Sequence, residues 1–172
     1  MHKRIQEVTP GTQSELAEIE ANILKERGRI SPLYRVLLNS PEIAQGWESL
    51  LTAVRNRSSL PPSLRELIIM RVAVLNRAQY EFDAHRPHAI TAGLSEEQID
   101  LILQDKITAG FSALEILVME LTDVMTRDIQ VPDALYDSVK SHFNDREILE
   151  VVTTISAYNM VSRLLNALHI GH

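Results

Sequence analysis

The 172-residue chain is 45% hydrophobic and 23% charged, carries a formal net charge of −6, and contains no cysteine. That length suits one domain able to bury a proper core. The scattered basic residues give no electrostatic support for binding nucleic acid or an anionic membrane, and the missing thiols exclude disulfides, thiolate metal sites and redox thiol pairs.

The opening MHKRIQEVTPGTQSEL is polar and lacks an apolar core, so no signal peptide is expected. No apolar run approaches the roughly 18–20 residues that span a bilayer, and a cytoplasmic location is expected. Residues 1–12 read as a flexible, exposed lead-in to a single domain over 1–172. Leu16, Ile19, Ile23 and Leu24 predict an amphipathic helix from Ser14 to about Arg27, ended at Gly28. Ser31-Pro32 and Ser40-Pro41 each offer an N-cap with proline in the first turn. They predict a short helix near 32–38 and a longer one near 41–57, and NRSSLPP at 56–62 reads as a loop.

Residues 61–94 predict two helices joined by a tight connection, closed by Ala92-Gly93 as a C-cap. Ser95-Glu96-Glu97-Gln98 is a capping box that opens the next helix, to about Gln104. Ala109-Gly110 interrupts the pattern before an apolar helix near 112–127, and Val131-Pro132-Asp133 starts another that reaches about Phe143. The last helix, near 145–168, is apolar on nearly every side, which implies burial in the core or at a subunit interface. Nothing alternates with period two, so the fold class is all-α, a multi-helix bundle with the central hairpin at its heart. Leu64-Arg65-Glu66-Leu67-Ile68 is echoed by Asp145-Arg146-Glu147-Ile148-Leu149, with Tyr158 and Arg163 following the second copy, a weak hint of a duplicated unit.

The hairpin holds the dense group of chemically useful side chains: Glu66 in its first helix, and Tyr80, Glu81, His85 and His88 in its second. Glu81 and His85 are four residues apart and share a helix face. If the helices fold back on each other, Glu66 can join them, and a carboxylate with an imidazole in apolar surroundings forms an acid–base pair. Structural readings compete. Ser63-Leu64-Arg65-Glu66 fits a capping box, and Glu81–His85 could be a solvated pair. His85-x-x-His88 with Glu81 has ligand types that suit zinc, but Pro87 interrupts the helix and no further ligands are evident, so no metal or other cofactor is expected. Arg65, Arg71, Arg77 and Arg86 flank the hairpin. Any one could hold an anionic substrate, with Arg71 and Arg77 the chosen anchors.

These residues resemble the carboxymuconolactone decarboxylase and alkyl hydroperoxidase D-like superfamily. The hydroperoxidase branch has a glutamate and then, twelve residues later, Cys-x-x-Cys-x-x-x-His. Here Glu66 is followed twelve residues on by Ala78 through His85, with Ala78 and Glu81 where the cysteines would stand. Tyr80-Glu81-Phe82-Asp83-Ala84-His85 resembles the Tyr-Glu-Trp-x-x-His of cysteine-poor relatives, and Glu81 with His85 satisfies the Glu-x-x-x-His of the decarboxylases. Gly28-Arg29, Ser40-Pro41-Glu42, Leu64-Arg65-Glu66-Leu67 and Ala92-Gly93-Leu94-Ser95 match the domain's framing over roughly 25–130.

The resemblance implies a helical homo-oligomer, often a trimer or hexamer with a dimer also possible, and a site near a subunit interface. Thiol-dependent peroxide reduction does not carry over, because neither cysteine is present. The expected function is acid–base chemistry, decarboxylation above all, on a small carboxylated or lactone substrate. His85 would be the general acid, Glu81 or Glu66 its orienting partner and Tyr80 an oxyanion donor. An isomerase or hydrolase on the same scaffold, and a non-catalytic oligomeric binding module, remain alternatives.

Overall fold

A computed structural model of the chain describes residues 4–171. Among them a short 3-10 turn (Ser14–Leu16) and nine α-helices occur, and no strand. The helices are α1 (Ala17–Arg27), α2 (Pro32–Leu37), α3 (Pro41–Asn56), α4 (Pro62–Leu75), α5 (Gln79–Thr91), α6 (Glu96–Ile102), α7 (Ala113–Arg127), α8 (Asp133–Lys140) and α9 (Asp145–Leu168). The all-α expectation holds, with boundaries within a residue or two except at α1, which starts three residues after Ser14 behind the 3-10 turn, and at α8, which stops three residues short of Phe143. Backbone contacts subdivide the single domain expected over 1–172 into two compact units, one of Met1–Arg57 with Leu165–His172 and one of Ser58–Leu164.

In the first unit α3 packs on α1 and α2. Gly28 ends α1 in the left-handed region at φ 72°, its amide bonding to Leu24 O, a conformation that a Cβ would strain. Pro32 and Pro41 occupy the first helical turn as expected, but neither Ser31 nor Ser40 makes a side-chain capping bond. The lead-in is less loose than its composition suggests. The Val8 amide bonds to Arg35 O at 3.0 Å, Val8 is buried, and the Gly11 amide bonds to Glu20 Oε2 at 2.9 Å. Residues 1–3 lie outside the described residues.

The second unit is built on α4. Every residue from Glu66 to Ala73 is buried, and α4 packs on α5, α6 and α7. A helix covered on all sides needs apolar residues all round, and LIIMRVAV supplies them with one exception, Arg71. The turn into α5 closes with the Ala78 amide on Ala73 O at 2.8 Å, and Arg77 takes a positive φ of 56° where glycine is usual. Within the chain α4 is buried on every side, whereas α9, expected to be buried in the core or at a subunit interface, covers only part of its apolar surface. In α9, Ile148, Val151, Ile155 and Tyr158 are buried, whereas Leu149 and Met160 are exposed. The polar face of α9 docks on the hairpin: Asn76 donates to Asn159 Oδ1 at 2.9 Å and to Ser162 Oγ at 2.7 Å, and Asn159 donates to Thr126 Oγ1 at 2.9 Å.

Candidate active site

α4 and α5 run side by side, which brings Glu66 against His85. Oε2 of Glu66 lies 2.7 Å from Nδ1 of His85, and both side chains are buried. A carboxylate at that distance selects the tautomer with the proton on Nδ1 and aims the ring. The capping reading of Glu66 does not hold. α4 begins at Pro62 with Pro61 as its N-cap, so Ser63 already lies inside the first turn and caps nothing.

Glu81 is buried too, and neither of its carboxylate oxygens has a hydrogen-bond partner. The solvated Glu81–His85 pair is therefore not what the structure contains; His85 turns to Glu66 across the hairpin. Burial raises the Glu81 pKa well above the ordinary carboxylate range, because the anion has lost its hydration and gained no donor. One helix turn from the imidazole thus stands a carboxyl held toward its neutral, proton-donating form.

Tyr80 is half-buried at the start of α5. His88 is exposed, its ring centroid 5.7 Å from that of His85. Pro87 sits inside α5 without ending it. Among the described residues no group of three or more His, Asp or Glu side chains is arranged to hold a metal ion.

Arg71 does not join Glu66, Glu81 and His85. Its Nε and Nη2 grip Asp123 at 2.6 and 2.5 Å, Nη1 donates to Ile102 O and Gln104 O, and Nη2 donates again to Asp105 O. All five N–H donors are engaged, so the anchoring role expected for Arg71 gives way to a structural one. The Arg71–Asp123 pair lines a cavity of about 550 Å3 beneath the α6–α7 loop, walled also by Ile116, Met119 and Val124. Arg77 lies exposed in the α4–α5 turn and Arg86 pairs with Glu96, whereas Arg65 keeps a buried Nε without a hydrogen-bond partner.

Sequence reasoning passed over Tyr158, noticed only within the echo of the hairpin. It is buried and meets the His85 ring edge-on, with centroids 5.2 Å apart and planes at 87°. The available signal was a tyrosine in mid-helix among apolar residues, which needs a partner for its hydroxyl.

The helical scaffold thus sets a buried Glu66–His85 pair across a hairpin, with the buried Glu81 carboxyl one helix turn away. Residues 41–123, just under half of the chain, match the carboxymuconolactone decarboxylase family. The uncharacterized protein YdfG of Bacillus subtilis (strain 168) is 28% identical over 110 residues, 63% of this chain and 75% of that one. An uncharacterized peroxidase-related protein from Silicibacter sp. TM1040 superposes with a TM-score of 0.82 at 17% identity, over 98% of this chain and 90% of its own. The debrominase Bmp8, solved with 2,3,4-tribromopyrrole, superposes with a TM-score of 0.81 at 11% identity, over 99% and 91%. At such identities the two structures share the fold. No helix among the described residues is long and apolar enough to cross a membrane.

Proposed function

We propose that the chain is an enzyme of acid–base type, a carboxymuconolactone decarboxylase-like lyase acting on a small carboxylated or lactone substrate. The observation that carries this reading is the buried 2.7 Å contact between Glu66 and His85. Glu66 orients the imidazole through that contact and places a carboxylate beside it. As a substrate carboxylate leaves as CO2, its bonding electrons stay behind as a dienolate. His85 delivers a proton to the carbon and is reprotonated from solvent, while Glu66 holds the ring. Glu81, in its neutral form, donates a hydrogen bond to the developing oxyanion, with Tyr80 beside it in sequence as a second donor.

His85→Gln is expected to lower kcat about 10²–10⁴-fold while the fold stays intact. The assay is turnover of a panel of small carboxylated lactones, with CO2 release followed. An unchanged rate removes His85 from the mechanism. The commitment of Arg71 to Asp123 favours a second reading: without that cation as a carboxylate anchor, the same proton shuttle suits isomerisation or opening of an uncharged lactone. Turnover without CO2 would select it. The exposed Leu149 and Met160 of α9 support the homo-oligomer expected of this family, which light scattering on a size-exclusion column tests.

A further inference from the structure

We propose that the end of α7 and the cavity beside it form a two-fold interface, in which Ile129 of each copy of the chain enters the cavity of the other. Ile129 is the residue that points there. It follows α7 at φ 68°, the left-handed position that closes a helix, and its amide bonds to Val124 O at 3.2 Å. Glycine or asparagine suits that position, whereas a side chain branched at Cβ crowds the following carbonyl and is strained. Such strain ordinarily persists where a contact requires it. Within the chain Ile129 has little contact to gain. At 79% exposure it is the most exposed large apolar side chain among the described residues. The conformation costs stability and the side chain recovers little of it inside the chain, so the recovery lies in contact with another molecule.

The surface around Ile129 selects that molecule. Val124 and Arg127, in the helix turn just before it, line the cavity of about 550 Å3 that is walled also by Ile107, Ile116 and Met119. A projecting isoleucine and an apolar hollow thus lie side by side, the arrangement that pairs with itself about a two-fold axis. Leu103, 54% exposed, stands two residues before Asp105, which the Arg127 guanidinium binds at 2.9 Å, and it widens the apolar rim. The charges agree with a second copy. In the cavity wall Arg71 pairs with Asp123 and Arg127 with Asp105, which leaves Lys106 and Glu120 outside any ion pair. One such cation and one such anion on a surface that faces itself meet crosswise, Lys106 of each copy against Glu120 of the other. A partner of strong net charge of either sign gains nothing from so balanced a surface.

The interface involves none of the residues given a catalytic role, so its test needs no substrate. Light scattering on a size-exclusion column, over a dilution series of the full chain, gives the number of copies. The wild type is expected to hold an even number. Ile129→Asp and Ile129→Asn are each expected to halve it. The side chain is exposed, so both variants keep their core, which circular dichroism checks, and asparagine also relieves the left-handed strain. Lys106→Glu and Glu120→Lys are each expected to halve the number as well, by setting like charges across the axis. The double variant is expected to restore it, because the crosswise pairs re-form with their signs exchanged. A wild type that is monomeric or holds an odd number of copies overturns the proposal. So does either Ile129 variant at wild-type size, and so does a double variant no larger than its single parents, the result expected if the surface serves an unlike partner or a small ligand.

Discussion

α4 carries two buried, partnered charges, five residues apart, and sets them in different surroundings. Five steps at 100° place Glu66 and Arg71 roughly 140° apart around the helix axis, so they face different neighbours. On one side Arg71 finds an acceptor for each of its five donors: two from Asp123 and three from carbonyls at the end of α6 and just beyond it. On the other side Glu66 meets His85, and close by Glu81 is buried with both oxygens lacking a partner. A saturated buried charge staples elements together and has nothing left for a ligand. An unsaturated one is costly to fold around, and such groups persist chiefly where chemistry uses them.

Removing one partner from the saturated side should produce the largest effect. Asp123→Ala leaves the Arg71 guanidinium buried without its counter-ion, and loss of one member of such a pair costs about 3–5 kcal/mol. Urea denaturation is the measurement. Because Asp123 is 22% exposed, the lower end of that range is expected. A loss under about 1 kcal/mol would mean that the three carbonyls hold Arg71 unaided, and the contrast between the two sides would weaken.

The same contrast explains which parts of the molecule were legible in the sequence. Helix boundaries were, because they depend on proline, glycine and short-range capping. Ser95 and Gln98 form the expected box, with Gln98 N to Ser95 Oγ at 3.2 Å and Ser95 N to Gln98 Oε1 at 3.1 Å. The spacing of Glu66, Glu81 and His85 was legible as well, but the pairing among them was not. Glu66 and Glu147 lie in near-identical Arg-Glu-apolar contexts, and only tertiary packing separates them. Glu147 is a true cap, its Oε2 accepting from the Asn144 amide at 2.9 Å, whereas Glu66 is buried against an imidazole nineteen residues away. Tyr158 and Asp123 were missed for a related reason. Each sits alone in an apolar helix, and its partner lies on another helix more than fifty residues earlier.

Glu81 tests the unsaturated side, with the sign of the effect reversed. Glu81→Leu removes a buried carboxyl that has no partner and replaces it with apolar volume, so it should stabilise the fold by about 1–3 kcal/mol while abolishing turnover. The gain should depend on pH. Because the folded-state pKa is raised above 4.5, the wild-type group keeps its proton when the unfolded chain has lost it. Stability contributed by Glu81 is therefore fully present below pH 4.5 and declines as pH rises toward the folded-state pKa. The advantage of Glu81→Leu over wild type should widen across that interval. An advantage independent of pH would mean that Glu81 finds a donor in solution.

Glu150 supplies the mirror image, and the smallest effect. Burial alone would raise its pKa, but the Ser59 hydroxyl, Arg146, the Ser59 amide and the Ser58 hydroxyl outweigh it and draw it from 4.5 down to about 2. Those bonds tie the loop before α4 to α9, at 2.6 Å from Ser59 Oγ and 2.8 Å from Ser59 N. Here the unfolded chain takes up the proton first, so the stability from Glu150 is present above pH 4.5 and is lost as pH falls toward 2. Glu150→Gln should cost about 1 kcal/mol near neutrality, the modest figure fitting a carboxylate close to solvent. The difference from wild type should vanish at the acid end of that window. The two glutamates thus predict opposite slopes in one urea titration series, falling with pH for Glu81 and rising for Glu150. If both variants shifted stability in parallel, the difference between a partnered and an unpartnered carboxylate would not be what separates these two parts of the protein.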